Sequence, residues 1–204
     1  QLVTELPTDD EDTEALSAVD YDGDGDLDLY VCTYYATDEA HEDESRRSFL
    51  YHDANNGGRN SLFRNTIRSD SNLGDEWAFE EVTSQVGLDS NNSRFTLAAS
   101  WEDFDNDGDQ DLIATVPTTL LVMENDGASH FRLRAELPTH SLHAQSLSAI
   151  DYDNDRRLDL YICNAFANRQ ERRERPEFVY YDANDAARNF LYRNEIQPGS
   201  EWKF

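Results

Sequence analysis

The chain repeats itself, and internal repetition restricts the possible folds more than any other property of a sequence. A shift of 131 residues carries Glu5-Leu6-Pro7-Thr8 onto Glu136-Leu137-Pro138-Thr139. The same shift carries residues 15–22 onto 146–153 and residues 27–32 onto 158–163. A shift two residues shorter then carries Tyr51-His52-Asp53-Ala54-Asn55 onto Tyr180-Tyr181-Asp182-Ala183-Asn184, and residues 62–65 onto 191–194. Between the two long copies, residues 98–103 and 111–113 form a shorter relative. A chain of repeated units buries its apolar faces by stacking each unit on the next.

No helical period persists anywhere, and each unit reads as short strands separated by turn residues. The first unit predicts strands near 15–19, 28–34, 60–66 and 79–84, and the second near 95–101, 111–116, 120–124 and 130–137. The third predicts 143–150, 159–164 and 189–195. Four strands per unit is the count of a propeller blade, and several strands are apolar on both faces, as stacked sheets require. The expected fold is all-β: about three β-propeller-type blades of four antiparallel strands with Asp-rich calcium loops, incomplete at both ends. Residues 1–8 then hold the terminal strand of a preceding blade, 9–90 blade one, 91–140 blade two, and 141–204 a blade lacking its fourth strand. A β-sandwich with metal-binding turns is the competing architecture.

Each unit carries the pattern Asp-x-Asp-x-Asp-x-x-x-Asp just before a strand. The first instance is Asp20, Asp22, Asp24 and Asp28, the second Asp103, Asp105, Asp107 and Asp111, and the third Asp151, Asp153, Asp155 and Asp159. Alternate residues of a tight loop aim successive carboxylates at one point, the hard-oxygen environment that calcium takes. Position seven (Asp26, Asp109, Arg157) is expected to add its carbonyl, and the ninth-position aspartate to close the cage. An EF-hand begins alike but needs a glutamate at position twelve, where this chain has Val31, Ala114 and Ile162. Gly25 and Gly108 at position six allow a left-handed turn, whereas the third loop has Arg156 there, which is expected to weaken its site. Magnesium resists the dehydration that an all-protein cage demands.

These loops, Asp20-Tyr21-Asp22-Gly23-Asp24-Gly25-Asp26-Leu27-Asp28 and Asp103-Phe104-Asp105-Asn106-Asp107-Gly108, resemble FG-GAP/VCBS repeats, the calcium-loop blades also found in integrin α-subunit propellers. Leu62-Phe63-Arg64-Asn65 and Phe79-Glu80-Glu81-Val82-Thr83 are similar to the strands that follow in bacterial members. The resemblance implies an extracellular, calcium-stabilised propeller and implies little about activity, because the family spans adhesins, surface proteins and appendages to enzymes.

Charge narrows the partners. The formal net charge is −26, and a surface this acidic repels nucleic acid and anionic membranes while attracting multivalent cations. Three calcium ions would leave −26 + 6 = −20, so metal accounts for part of the acidity only. No apolar run reaches the roughly 20 residues of a membrane span. No basic-then-apolar leader is visible, so secretion would require one already removed. Cys32 and Cys163 occupy matching strands of different units and are expected to be free thiols.

Several remaining features have a structural reading as well as a functional one. Tyr34, Tyr35, Tyr51, Tyr180 and Tyr181 are read as inter-blade packing before sugar stacking, and His140 and His143 lack a clear third metal ligand. Asn91-Asn92-Ser93 fits the N-glycosylation pattern once. Between its second and third strands the first unit holds an acidic insertion (Asp38, Glu39, Glu42, Asp43, Glu44), and the third a basic one (Arg169, Arg172, Arg173, Arg175). Such a pair could join copies head to tail, with residues 1–6 donated as a strand to a neighbour. No nucleophile elbow, phosphate loop, zinc-hydrolase pair or reactive lysine is present in the sequence. The expectation is a non-catalytic extracellular structural or adhesive protein, a homo-oligomer or polymer with a protein or carbohydrate as possible ligand. The alternatives are an integrin-like ligand-binding propeller and a calcium-assisted polysaccharide lyase.

Overall fold

The computed structural model of the protein describes residues 6–8, 12–34, 57–66, 78–139, 144–164, 188–197 and 200–204. These residues form strands and no helix, in three antiparallel sheets. The first sheet runs β1 (Thr13–Val19), β2 (Asp28–Thr33), β3 (Ser61–Asn65) and β4 (Phe79–Glu81) in that spatial order. The second runs β5 (Ala98–Glu102), β6 (Asp111–Val116), β7 (Thr119–Asn125) and β8 (Phe131–Pro138). The third runs β9 (Ala144–Ile150), β10 (Asp159–Asn164) and β11 (Phe190–Tyr192). Each sheet is a meander whose neighbours in sequence are neighbours in space, the up-and-down order of a propeller blade. The all-β, blade-type architecture read from the repeat is the one the chain adopts.

The strands predicted for the three units all exist among the described residues, and the differences lie at strand ends. β4 stops at Glu81 because Thr83 folds back and its hydroxyl accepts the Leu62 N–H at 2.8 Å. A turn over 83–91 follows, in which Gly87 is left-handed (φ 84°), and a Cβ there would lie 2.7 Å from the Phe131 carbonyl oxygen. β5 begins at Ala98 rather than 95 because Phe95 is left-handed (φ 59°) and buried edge-on against Tyr34, with ring centres 5.4 Å apart. β11 ends at Tyr192 because the Asn194 N–H turns away to Asp159.

The core consists of two seams between sheets. The first joins Tyr21, Tyr30, Leu62 and Val82 of blade one to Trp101, Leu112, Met123 and Phe131 of blade two. The second joins Phe104, Ile113, Val122 and Leu137 of blade two to Leu160, Ile162, Ile196 and Trp202 of blade three. In β6, Leu112 faces the first seam and Ile113 the second, so the strand is apolar on both faces and buried throughout. Trp101 stands edge-on to Tyr30 at 5.4 Å and to Phe131 at 5.6 Å, and its indole N–H donates to the Ser17 hydroxyl at 3.0 Å. That bond links β5 to β1, and β9 in turn lies beside β5. The first strands of successive blades are thus neighbours.

Cys32 is buried and free, with burial pushing its thiol up to about 12, and Cys163 is also free. Tyr34 packs in the core, whereas Tyr35, Tyr51, Tyr180, Tyr181, His140, His143, both charged insertions and the strand expected over 1–6, apart from Leu6, lie outside the described residues. Among the described residues no helix is long and apolar enough to cross a membrane.

Candidate metal centres

Each Asp-rich segment is the connection between the first and second strands of its blade. Cross-strand pairs Val19–Asp28, Glu102–Asp111 and Ile150–Asp159 close the three loops, so the ninth aspartate is the first residue of the outgoing strand. Those aspartates are buried, and each is held by two backbone donors. Asp28 accepts from Asn65 N–H (2.7 Å) and Tyr21 N–H (3.4 Å), and Asp111 from Asn125 (2.9 Å) and Phe104 (3.0 Å). Asp159 accepts from Asn194 (2.8 Å) and Tyr152 (3.2 Å). The ninth side chain therefore pins its loop to the end of the third strand.

Inside the loops the hydrogen bonds also repeat. The first aspartate accepts from the position-six N–H at 3.0 Å in all three: Gly25 to Asp20, Gly108 to Asp103 and Arg156 to Asp151. The third accepts from position five, and the fifth from position seven: Asp26 N–H to Asp24 at 2.9 Å, Asp109 to Asp107 and Arg157 to Asp155 at 3.0 Å. These short-range bonds hold the peptide in a tight coil with its carboxylates on one side.

Carboxylate oxygens of Asp20, Asp22 and Asp28 lie within 4.8 Å of one another, as do those of Asp103, Asp105 and Asp111 and those of Asp151, Asp153 and Asp159. Positions one, three and nine thus converge. Asp24, Asp107 and Asp155 stand outside these closest groups, each turning one oxygen to the position-seven N–H. The side chains of Asp26, Asp109 and Arg157 are outside them too, which leaves position seven only its backbone carbonyl to offer.

An orphaned oxygen in the first loop, and carboxylate crowding in the first two, fit a divalent cation with oxygen ligands. One carboxylate oxygen of Asp20 is buried without a hydrogen-bond partner. Such an oxygen is costly unless a cation meets it. The carboxylates are also electrostatically unfavourable by themselves. Burial pushes Asp28 up to about 6 against the pull of the Asn65 and Tyr21 N–H groups, and Asp111 up to about 8 against Asn125 and Phe104. Burial, then the Asp107 charge, raises Asp105 to about 6, and burial and Asp24 raise Asp22.

The third loop has the same coil but different charges. Arg156 takes the left-handed conformation (φ 71°) that Gly25 (93°) and Gly108 (102°) take, so the substitution strains the backbone without changing its course. The Arg157 guanidinium pairs with Asp155, and its Nε donates to the Asn194 carbonyl at 2.9 Å. Arg193 reaches Asp153 at 2.8 Å and Asp155 at 3.3 Å. Although desolvation opposes it, the Arg157 N–H and the two guanidinium charges hold Asp155 below the usual carboxylate range.

Sequence reasoning missed the asparagine that ends the third-strand segment in each unit: Asn65, Asn125 and Asn194. Its N–H holds the ninth aspartate, while its side-chain amide reaches loop carbonyls. Asn65 donates to Leu27 O (3.2 Å), Asn125 to Gln110 O (3.4 Å) and Asn194 to Leu158 O (3.1 Å). Asn125 also donates across the first seam to Tyr21 O (2.9 Å), and Asn194 across the second to Phe104 O (2.7 Å). The signal was available, since Asn65 and Asn194 align in the repeat, but Glu124-Asn125 in the short unit carries only the asparagine of that motif.

No curated protein sequence matches the chain. Residues 103–162, which run from the second loop through β8 and the third loop into β10, match the family described as FG-GAP-like repeat.

Proposed function

We propose that the protein is a non-catalytic, extracellular calcium-binding blade array with a structural or adhesive role, whose copies associate head to tail. The observation that carries the calcium reading is the convergence of three carboxylates per loop, with a buried Asp20 oxygen that has no other partner. Hard oxygen ligands on a tight loop suit calcium, and extracellular modules bind it with dissociation constants of about 10⁻⁴ M.

Association is supported by the two outer faces. Tyr152 is 47% exposed, while its counterparts Tyr21 (4%) and Phe104 (0%) are buried by the following blade. Tyr161 and Leu191 are likewise exposed, whereas Tyr30 and Leu62 lie in the first seam. On the opposite side Leu16 and Leu27 are exposed, whereas their counterparts Leu147 and Leu158 pack in the second seam. Each end face therefore presents the apolar side chains that seal an internal seam, and the two are complementary. Contacts of this heterologous kind propagate into rings or filaments.

Light scattering of the purified chain with about 1 mM calcium, the range that fills extracellular modules, and again after chelation tests the reading. Large calcium-dependent particles are expected. A second reading, a ligand-binding propeller, is favoured by a cleft of about 340 Å³ between loops one and two, lined by Asp20, Tyr21, Trp101 and Asp109. A folded monomer in calcium would shift the assignment to that reading.

A further inference from the structure

We infer that the third loop is closed by its own arginines and takes no calcium, so that the described loops of the chain hold two ions rather than three. The inference rests on the calcium reading of loops one and two.

Backbone shape does not distinguish the loops, because the bonds from positions five, six and seven recur in the third loop at 3.0–3.2 Å. The distinction is the source of positive charge. Residues 20–28 contain five aspartates and no cation, a formal −5, and residues 103–111 likewise −5. Residues 151–159 contain four aspartates and two arginines, −4 + 2 = −2. Arg193 lowers that to −1 at the contact.

Each of these arginines occupies a position that is used differently elsewhere in the chain. Position seven is Asp26 or Asp109 in the other loops and Arg157 in this one. Arg157 is anchored from both sides, by Asp155 and by the Asn194 carbonyl. The residue before the strand-end asparagine is Arg64 in blade one, which pairs with Glu80 on β4. In blade two it is Glu124, which is itself paired with Arg132 and Arg134. Arg64 lies near enough for its charge to act on Asp22, but the ion pair it makes is with Glu80. In blade three this position, Arg193, makes direct ion pairs with the loop, onto Asp153 and Asp155.

Asp153, one of the three converging carboxylates, and Asp155 beside it are thus bonded to guanidinium groups. Calcium would have to displace both groups and then sit beside the displaced charges. A tethered guanidinium also has no concentration dependence, so this loop stays closed when calcium is removed. The chelation-sensitive parts are the first two loops, whose Tyr21 and Phe104 carbonyls receive the seam-crossing asparagines.

Equilibrium dialysis of the full chain against calcium, with metal counted by atomic absorption, tests this. Two ions per chain are expected. Asp22→Asn and Asp105→Asn should each lower the count to one, and the double variant should bind none. Arg157→Asp, which restores the composition of the other loops at position seven, should raise the count to three. An ion retained by the double variant, or three in the wild type, would overturn the inference. If Arg157→Asp does not fold, the double variant still decides the matter. Absence of bound calcium in the wild type would withdraw the calcium reading itself, a result distinct from a count of three.

Discussion

The ninth-position aspartates show how single residues set the chemistry of this chain. Burial pushes Asp28 up to about 6 and Asp111 up to about 8, and burial, then the Asp107 charge, pushes Asp105 at position three up to about 6. A carboxyl raised in the folded state favours folding fully below its unfolded value of about 3.9, and that contribution is lost as pH rises through the folded value. Without calcium, stability should therefore fall between about pH 4 and pH 8, the window set by those values and the unfolded reference. Melting temperatures in chelator at pH 5 and pH 8 check this, with the lower one expected at pH 8. On the proposed calcium reading, added calcium should reverse the order, because a divalent cation favours the ionised carboxylates.

The asparagines make a second residue-scale prediction. Asn125→Ala or Asn194→Ala leaves the buried Tyr21 or Phe104 carbonyl without its donor, which costs about 1–3 kcal/mol. Urea unfolding should record that loss for each variant.

At the scale of elements, the strands were legible because their cause is local. Alternation, turn residues and a repeat that aligns Leu27-Asp28-Leu29-Tyr30 with Leu158-Asp159-Leu160-Tyr161 fix which segments pair. Strand ends were less legible because their cause is tertiary. Thr83 leaves β4 to serve the Leu62 N–H, and Phe95 delays β5 by packing left-handed against Tyr34. Spacing proposed four carboxylates per loop, and those at positions one, three and nine converge while position five stands outside. That Arg157 and Arg193 face the third loop's carboxylates was not legible, because Arg193 enters from just beyond β11, 38 residues after Asp155. The seams themselves make a prediction at this scale. Phe104 is fully buried and spans the second seam, so Phe104→Ala should cost about 3–5 kcal/mol through lost burial and the cavity left behind. Gly87→Ala should also destabilise, because a Cβ meets the Phe131 carbonyl at 2.7 Å in a left-handed backbone. Thermal melts rank the two variants against wild type.

For the whole molecule, the governing quantity is how much of each blade is covered. The middle blade is sealed on both sides, whereas the outer faces of blades one and three leave Leu16, Leu27, Ile150, Tyr152, Tyr161 and Leu191 in contact with water. On the proposed calcium reading, calcium at tenfold its dissociation constant would add about 1.4 kcal/mol per filled loop, about 3 kcal/mol for two, but an ion in a loop buries none of these side chains. On the head-to-tail proposal a second copy covers these faces, because the two ends carry complementary seam side chains. Placing a charge in that seam separates folding from assembly. Leu191→Glu puts an unpaired carboxylate where Leu62 and Val122 are fully buried in the internal seams. Because Leu191 is exposed in the isolated chain, the variant should fold, melt and bind calcium as the wild type does. It should nevertheless lose the large particles that the head-to-tail proposal expects by light scattering in calcium. Leu27→Glu on the opposite face should do the same, and a mixture of the two variants should stop at dimers joined through their remaining intact faces. Particles of undiminished size in both variants would mean that these faces are not where copies meet.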